Sequence, residues 1–108
     1  MARYLFQASY TSEAWAAQVN NPQNRIDTIR PVIEQLGGRL ESAYLCFGDY
    51  DVVVIVEMPD NISAAAFSLA TSAGGALKAI KTTPLLTVEE GIEALKKAAG
   101  AGYRPPGR

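Results

Sequence analysis

From Ala2 to Tyr10 the chain alternates, with Tyr4, Phe6, Ala8 and Tyr10 on one side of an extended backbone and Arg3, Leu5, Gln7 and Ser9 on the other. That period of two marks a half-buried strand. The pattern then changes. A short helical piece carrying Trp15 and Val19 starts at Ser12 and reaches Asn21-Pro22, which reads as an N-cap with proline at the first helical position of a second, longer helix. In that helix Ile26, Ile29, Ile33 and Leu36 recur at steps of three and four, and Gly37-Gly38 stops it. Pro31 lies inside the stripe, lacks an N–H, and predicts a kink near Asp27 to Arg30 or a break in the helix.

Alternation returns from Arg39 to Phe47, with Leu40, Ser42, Tyr44 and Cys46 on one side and Glu41, Ala43, Leu45 and Phe47 on the other. Gly48-Asp49 is a tight-turn signal before Asp51 to Met58, so these two runs predict an antiparallel hairpin. Ile62 to Ala73 reads as a helix with Ile62, Ala66, Leu69 and Ala73 facing inward, closed by Gly74-Gly75. Leu77 to Leu86 reads as a strand whose Pro84 marks an edge or an exit from the ladder. Thr87-Val88-Glu89-Glu90 is a capping box for a last helix with the stripe Val88, Ile92, Leu95, Ala99 and with Lys96 and Lys97 at its C-terminal end.

The order β-α-β-β-α-β plus a terminal helix predicts an α+β fold: a ferredoxin-like sandwich, two helices on one face of an antiparallel sheet, with an extra C-terminal helix. Its central question is Val52 to Val56. Val52, Val54 and Val56 point one way and Val53 and Ile55 the other, so this strand is apolar on both faces. Soluble monomers rarely leave such a face bare, and a second copy is expected to cover it, two sheets pairing face to face as a dimeric α/β barrel. Residues 1–99 are expected to form one domain, and Gly100 to Arg108 a glycine- and proline-rich tail, extended unless it docks.

Gly48, Tyr50 and Asp51, the VVVIVEMPDN stretch that follows, KTTPLLT (Lys81 to Thr87) and YRPPG (Tyr103 to Gly107) together resemble GYD-domain proteins over essentially the whole chain. The likeness is thinnest from Ser12 to Ile26, where Glu13-Ala14-Trp15 stands in place of a glycine-containing segment. The resemblance implies a dimeric α/β-barrel fold in a small oligomeric protein, and it implies no particular reaction.

Composition narrows the chemistry. At 108 residues, 48% hydrophobic, 19% charged and with a net charge of −1, the chain has the make-up of an ordinary globular protein. Lys78 and Lys81, Lys96 and Lys97, and Arg104 and Arg108 are scattered pairs, not the basic stripe that nucleic acid requires. Cys46 is the only cysteine, which excludes intrachain disulfides and cysteine-based zinc sites and fits a reducing cytoplasm. Neither an exported leader nor a membrane span is expected from the apolar runs. Histidine is absent, which removes histidine-held zinc and haem, the Ser-His-Asp triad and a histidine base together. Neither metal nor cofactor is expected, and Asp49, Asp51 and Glu41 alternate in direction without a nitrogen or sulfur ligand to join them.

Gly48-Asp49-Tyr50-Asp51 could present a carboxylate and a phenol at a site mouth, yet turns use the same residue types for positive φ and for backbone hydrogen bonds. Gln7, Ser9, Tyr10, Trp15, Tyr44 and Thr82 are the candidate ligand-binding residues, since a mostly apolar cavity with a few hydroxyls and an amide suits a small organic molecule. The competing reading has these groups satisfying one another across the dimer interface, where tyrosine is enriched. Trp15 with Tyr10 could form an aromatic lid or a packing anchor. Cys46, without a basic neighbour, reads as an inert small hydrophobe. Three functions remain open: a homo-oligomer binding a small apolar or aromatic molecule in a sheet-lined cavity between the sheet and its partner; a cofactor-independent isomerase, cyclase or monooxygenase in which Tyr10, Tyr44 or Asp51 handles the proton; and a structural or partner-docking subunit using the Tyr103 to Arg108 tail.

Overall fold

A computed structural model describes residues 1–107, which run as β1 (Ala2–Tyr10), α1 (Ser12–Asn20), α2 (Arg25–Gln35), β2 (Arg39–Leu45), β3 (Val52–Met58), α3 (Asn61–Ala73), β4 (Leu77–Leu85) and α4 (Val88–Ala99). The strands form one antiparallel sheet in the order β2-β3-β1-β4, the ferredoxin-like arrangement with α1 placed ahead of α2 and α4 added at the end. Pro84 does lie on an edge strand, opposite Tyr4 of β1. Among the described residues no helix is long and apolar enough to cross a membrane.

The period-two pattern decides which face is buried. Tyr4 pairs with Val56, Phe6 with Val54 and Ala8 with Val52, so the even-numbered residues of both strands line one face, and all of them but the terminal Ala2 are buried. Ile33 anchors α2 on that face, while Ala64 and Phe67 anchor α3. Phe67 meets Phe6 edge to face with ring centroids 4.9 Å apart, a geometry that adds to the area both rings bury. α2 packs over β2, and α3 over β4 and β3, so the two helices flank the middle of the sheet.

Five local expectations give way. α2 begins at Arg25 rather than at Pro22, because the Asn24 side chain accepts from the N–H groups of Ile26 and Asp27, while the Asn21 N–H is used to finish α1 on the carbonyl of Ala17. α2 also runs through Pro31 unbroken. In α3 the inward face is Ala64 and Phe67; Ile62 and Leu69 are exposed, because the large Phe67 ring takes the site against Phe6 and turns the other stripe outward. In β2 a bulge between Leu40 and Ser42 inserts one extra residue, so Leu40 and Ala43 share the buried face and Ser42 and Tyr44 the open one. Cys46 and Phe47 lie beyond the end of β2, and Phe47 is fully exposed.

The open face carries Leu5, Val53 and Ile55 at its centre. Arg3 and Arg39 pair with Glu57, and Arg3 also pairs with Glu41, at one end of it. α4 starts from its capping box, whose Thr87 N–H holds the Glu90 carboxyl below the usual carboxylate range, and then leaves the body of the molecule. Val88, Ile92 and Leu95 on its apolar stripe are all exposed.

Candidate functional site: a cleft between helices and sheet

At one end of β1 the β2–β3 loop folds over the strand and is fixed there by Asp51. The Asp51 N–H donates to the Ala8 carbonyl at 2.8 Å, and the Asp51 carbonyl accepts from Cys46 N–H at 2.8 Å. Its carboxylate Oδ2 accepts from the Tyr10 N–H at 2.9 Å and from the Trp15 indole Nε1–H at 3.1 Å. The Ser9 hydroxyl donates to the Asp49 carbonyl, which closes the loop from the other side of the strand. Gly48 makes the turn possible: its φ of +147° is open to glycine and strained for other residues. Cys46 joins the same structure, its thiol donating to the Tyr50 carbonyl.

This clamp sets the position of Tyr10. Its ring lies on the helix side of the sheet, edge to face with Trp15 at 5.1 Å between centroids. Burial pushes the Tyr10 phenol above its ordinary pKa; the Arg25 guanidinium acts in the opposite sense, and Asp51 adds to the rise. Beyond Tyr10, between α2 and α3, the sheet and the two helices line a cleft of about 250 Å³. Its floor is Phe6, Ala8, Val52 and Val54, and its walls come from Ile29 and Val32 of α2 and from Phe67 and Thr71 of α3. Arg25, Thr28, Thr71 and Tyr10 supply its polar groups, and among the described residues no carboxylate lines it. A second recess lies at the root of α4, beside Arg3, Tyr4, Asn61 and Glu90.

The candidate residues do not converge on one place. Tyr10 lines the cleft and Trp15 backs it. Thr82 is on the same face opposite Phe6, with its hydroxyl buried and without a hydrogen-bond partner, but it does not line the cleft. Gln7, Ser9 and Tyr44 are on the open face: Gln7 pairs with Val53 and Lys81, Ser9 with Ala79, and Tyr44 with Val53. Tyr10, Tyr44 and Asp51 are therefore not assembled as one acid-base group, since the two tyrosines lie on opposite sides of the sheet. A helix start at Asn21-Pro22 hides Arg25 and Thr28 as site residues. With the cap at Asn24, Arg25, Ile29 and Val32 fall at steps of four and three, which puts a cation at the end of an apolar stripe.

The strand order and the helix layer define a ferredoxin-like α+β protein. A family model for the GYD domain matches residues 4–95, and the chain belongs to that family. Among solved structures it is similar to the crystal structure of MtbAldR, with a TM-score of 0.57 and 16% identity, covering 80% of this chain and 53% of that one. That likeness is one of fold, and the chain spans about half the length of that protein. No curated protein matches the sequence.

Proposed function

We propose that the protein is a cytoplasmic homo-oligomer that holds one small apolar or aromatic molecule per chain in the cleft between its sheet and its helices, with no metal or redox cofactor of its own. The observation that carries this reading is the cleft, about 250 Å³ and walled almost wholly by apolar side chains. Apolar cavities of roughly 150 Å³ accept a molecule the size of benzene, and drug-sized sites start near 300 Å³, so the volume suits one ring with a short substituent. The single cysteine is a free thiol, in keeping with a reducing compartment.

The oligomeric part of the reading rests on the other face of the sheet. Leu5, Val53 and Ile55 form an apolar strip flanked by the Arg3, Arg39, Glu41 and Glu57 charges, a pattern suited to a self-complementary contact with a second copy. Pairing through that face leaves each cleft untouched on the outer side of its own sheet. Native mass spectrometry of protein purified from its own host tests both parts. The expected spectrum is a dimer, or a multiple of dimers, with one discrete extra mass per chain. Ala8→Leu, which fills the cleft floor, is expected to lose the extra mass and keep the copy number. A bare monomer would overturn the reading.

A further inference from the structure

We propose that the molecule held in the cleft is a carboxylic acid, with its apolar body between Phe6, Ile29 and Phe67 and its carboxylate at the mouth against Arg25, Thr28 and Tyr10. This rests on the cleft reading above and adds the ligand's charge. The polar groups around the cleft are unequal: one guanidinium, a phenol and two threonine hydroxyls, with no acid among the lining residues. The Thr71 hydroxyl is already spent on the Phe67 and Ser68 carbonyls of its own helix. Arg25 is not spent. Among the described residues it forms no ion pair, and its only side-chain partners, Gln23 and Thr28, are at the long distances of 3.4 and 3.5 Å.

A half-buried arginine beside an apolar cleft favours an anion, and its planar fork matches the two oxygens of a carboxylate. A cationic ligand would meet Arg25 with no compensating acid. A neutral ligand would fill the cleft and leave the guanidinium bonds unmade. The Asp51 carboxylate, behind Tyr10, has its Oδ2 turned to the Tyr10 and Trp15 N–H groups.

The test uses the intact protein and two probes that differ only in their head group, 4-phenylbutyrate and 4-phenylbutan-1-ol. Each is titrated while the amide resonances of Ala8, Thr71 and Leu77 are followed by NMR. The acid is expected to bind about tenfold more tightly than the alcohol, the ratio that one added charge-assisted hydrogen bond supplies. Arg25→Gln is expected to bring the acid to the affinity of the alcohol and leave the alcohol unchanged, while Arg25→Lys keeps part of the preference. Equal binding of acid and alcohol to the unaltered protein would overturn the carboxylate assignment and leave the cleft reading standing. Cleft amides that respond to neither probe would overturn both.

Discussion

Asp51 is where the most local structure meets: its backbone joins the loop to β1 and its carboxylate joins β1 to α1. Asp51→Ala leaves the Tyr10 amide and the Trp15 indole N–H without their acceptor, and the expected loss is about 2–3 kcal/mol. Asp51→Asn keeps an acceptor oxygen without the charge and should lose about half as much; thermal unfolding followed by circular dichroism separates the two. Gly38 is constrained by space. A Cβ there would lie 2.4 Å from the Glu57 carbonyl oxygen and 2.6 Å from the Met58 sulfur, so Gly38→Ala must displace β3 backbone. A loss of about 3 kcal/mol is expected by urea unfolding. Tyr10 gives a pH signature. Its phenol is held above the ordinary value of 10.0 in the folded state, so above that pH the unfolded chain releases its proton first. Folding stability should therefore fall as pH rises through 10 toward the raised value, and Tyr10→Phe should remove that part of the alkaline loss.

At the scale of elements, α4 is a helix whose own sequence supports it. It has a complete capping box at Thr87 and Glu90, two acids in its first turn and two lysines in its last, and little packing against the body. A methyl group added at Gly91 would meet nothing within 4 Å beyond its own helix, so Gly91→Ala costs nothing in space. The substitution should stabilise α4 by about 1 kcal/mol, read as slower amide exchange from Gly91 to Ala99. This helix is fully legible in the sequence because every signal for it is local. The same holds for β1, whose alternation is strict. Legibility fails where two local signals compete: Asn21 and Asn24 are both cap residues, and only the hydrogen bonds of Asn24 settle the start of α2. In α3, Ile62 and Leu69 outrank Ala64 by hydrophobicity, yet a partner on β1, Phe6, selects the face bearing Phe67. The β2 bulge likewise depends on β3 and has no mark of its own in the sequence.

At the scale of the molecule, the chain is extended for its length, with a radius of gyration of 17.4 Å and a longest dimension of 59 Å. A compact chain of about this size has a radius near 13 Å. The difference comes from α4 and the segment after it, which stand off the body with Val88, Ile92 and Leu95 uncovered. The cleft is not legible in the sequence, because it lies between side chains of α2, α3 and the sheet that only the tertiary fold brings together, with no periodicity to announce it. The open face is legible, since β3 is apolar at every position from Val52 to Val56. These two surfaces lie on opposite sides of one sheet, and a substitution can therefore address one without the other. Ile55 points away from the cleft and sits beside Leu5 and Ser42 on the open face. Ile55→Lys places a charge at the centre of the surface assigned to the second copy, where a charge without a partner is strongly disfavoured. Sedimentation equilibrium should then report a monomer in place of the oligomer, while 4-phenylbutyrate still shifts the Ala8 and Thr71 amides. An unchanged oligomer would move the interface off the sheet, leaving the α4 stripe as the surface to alter next.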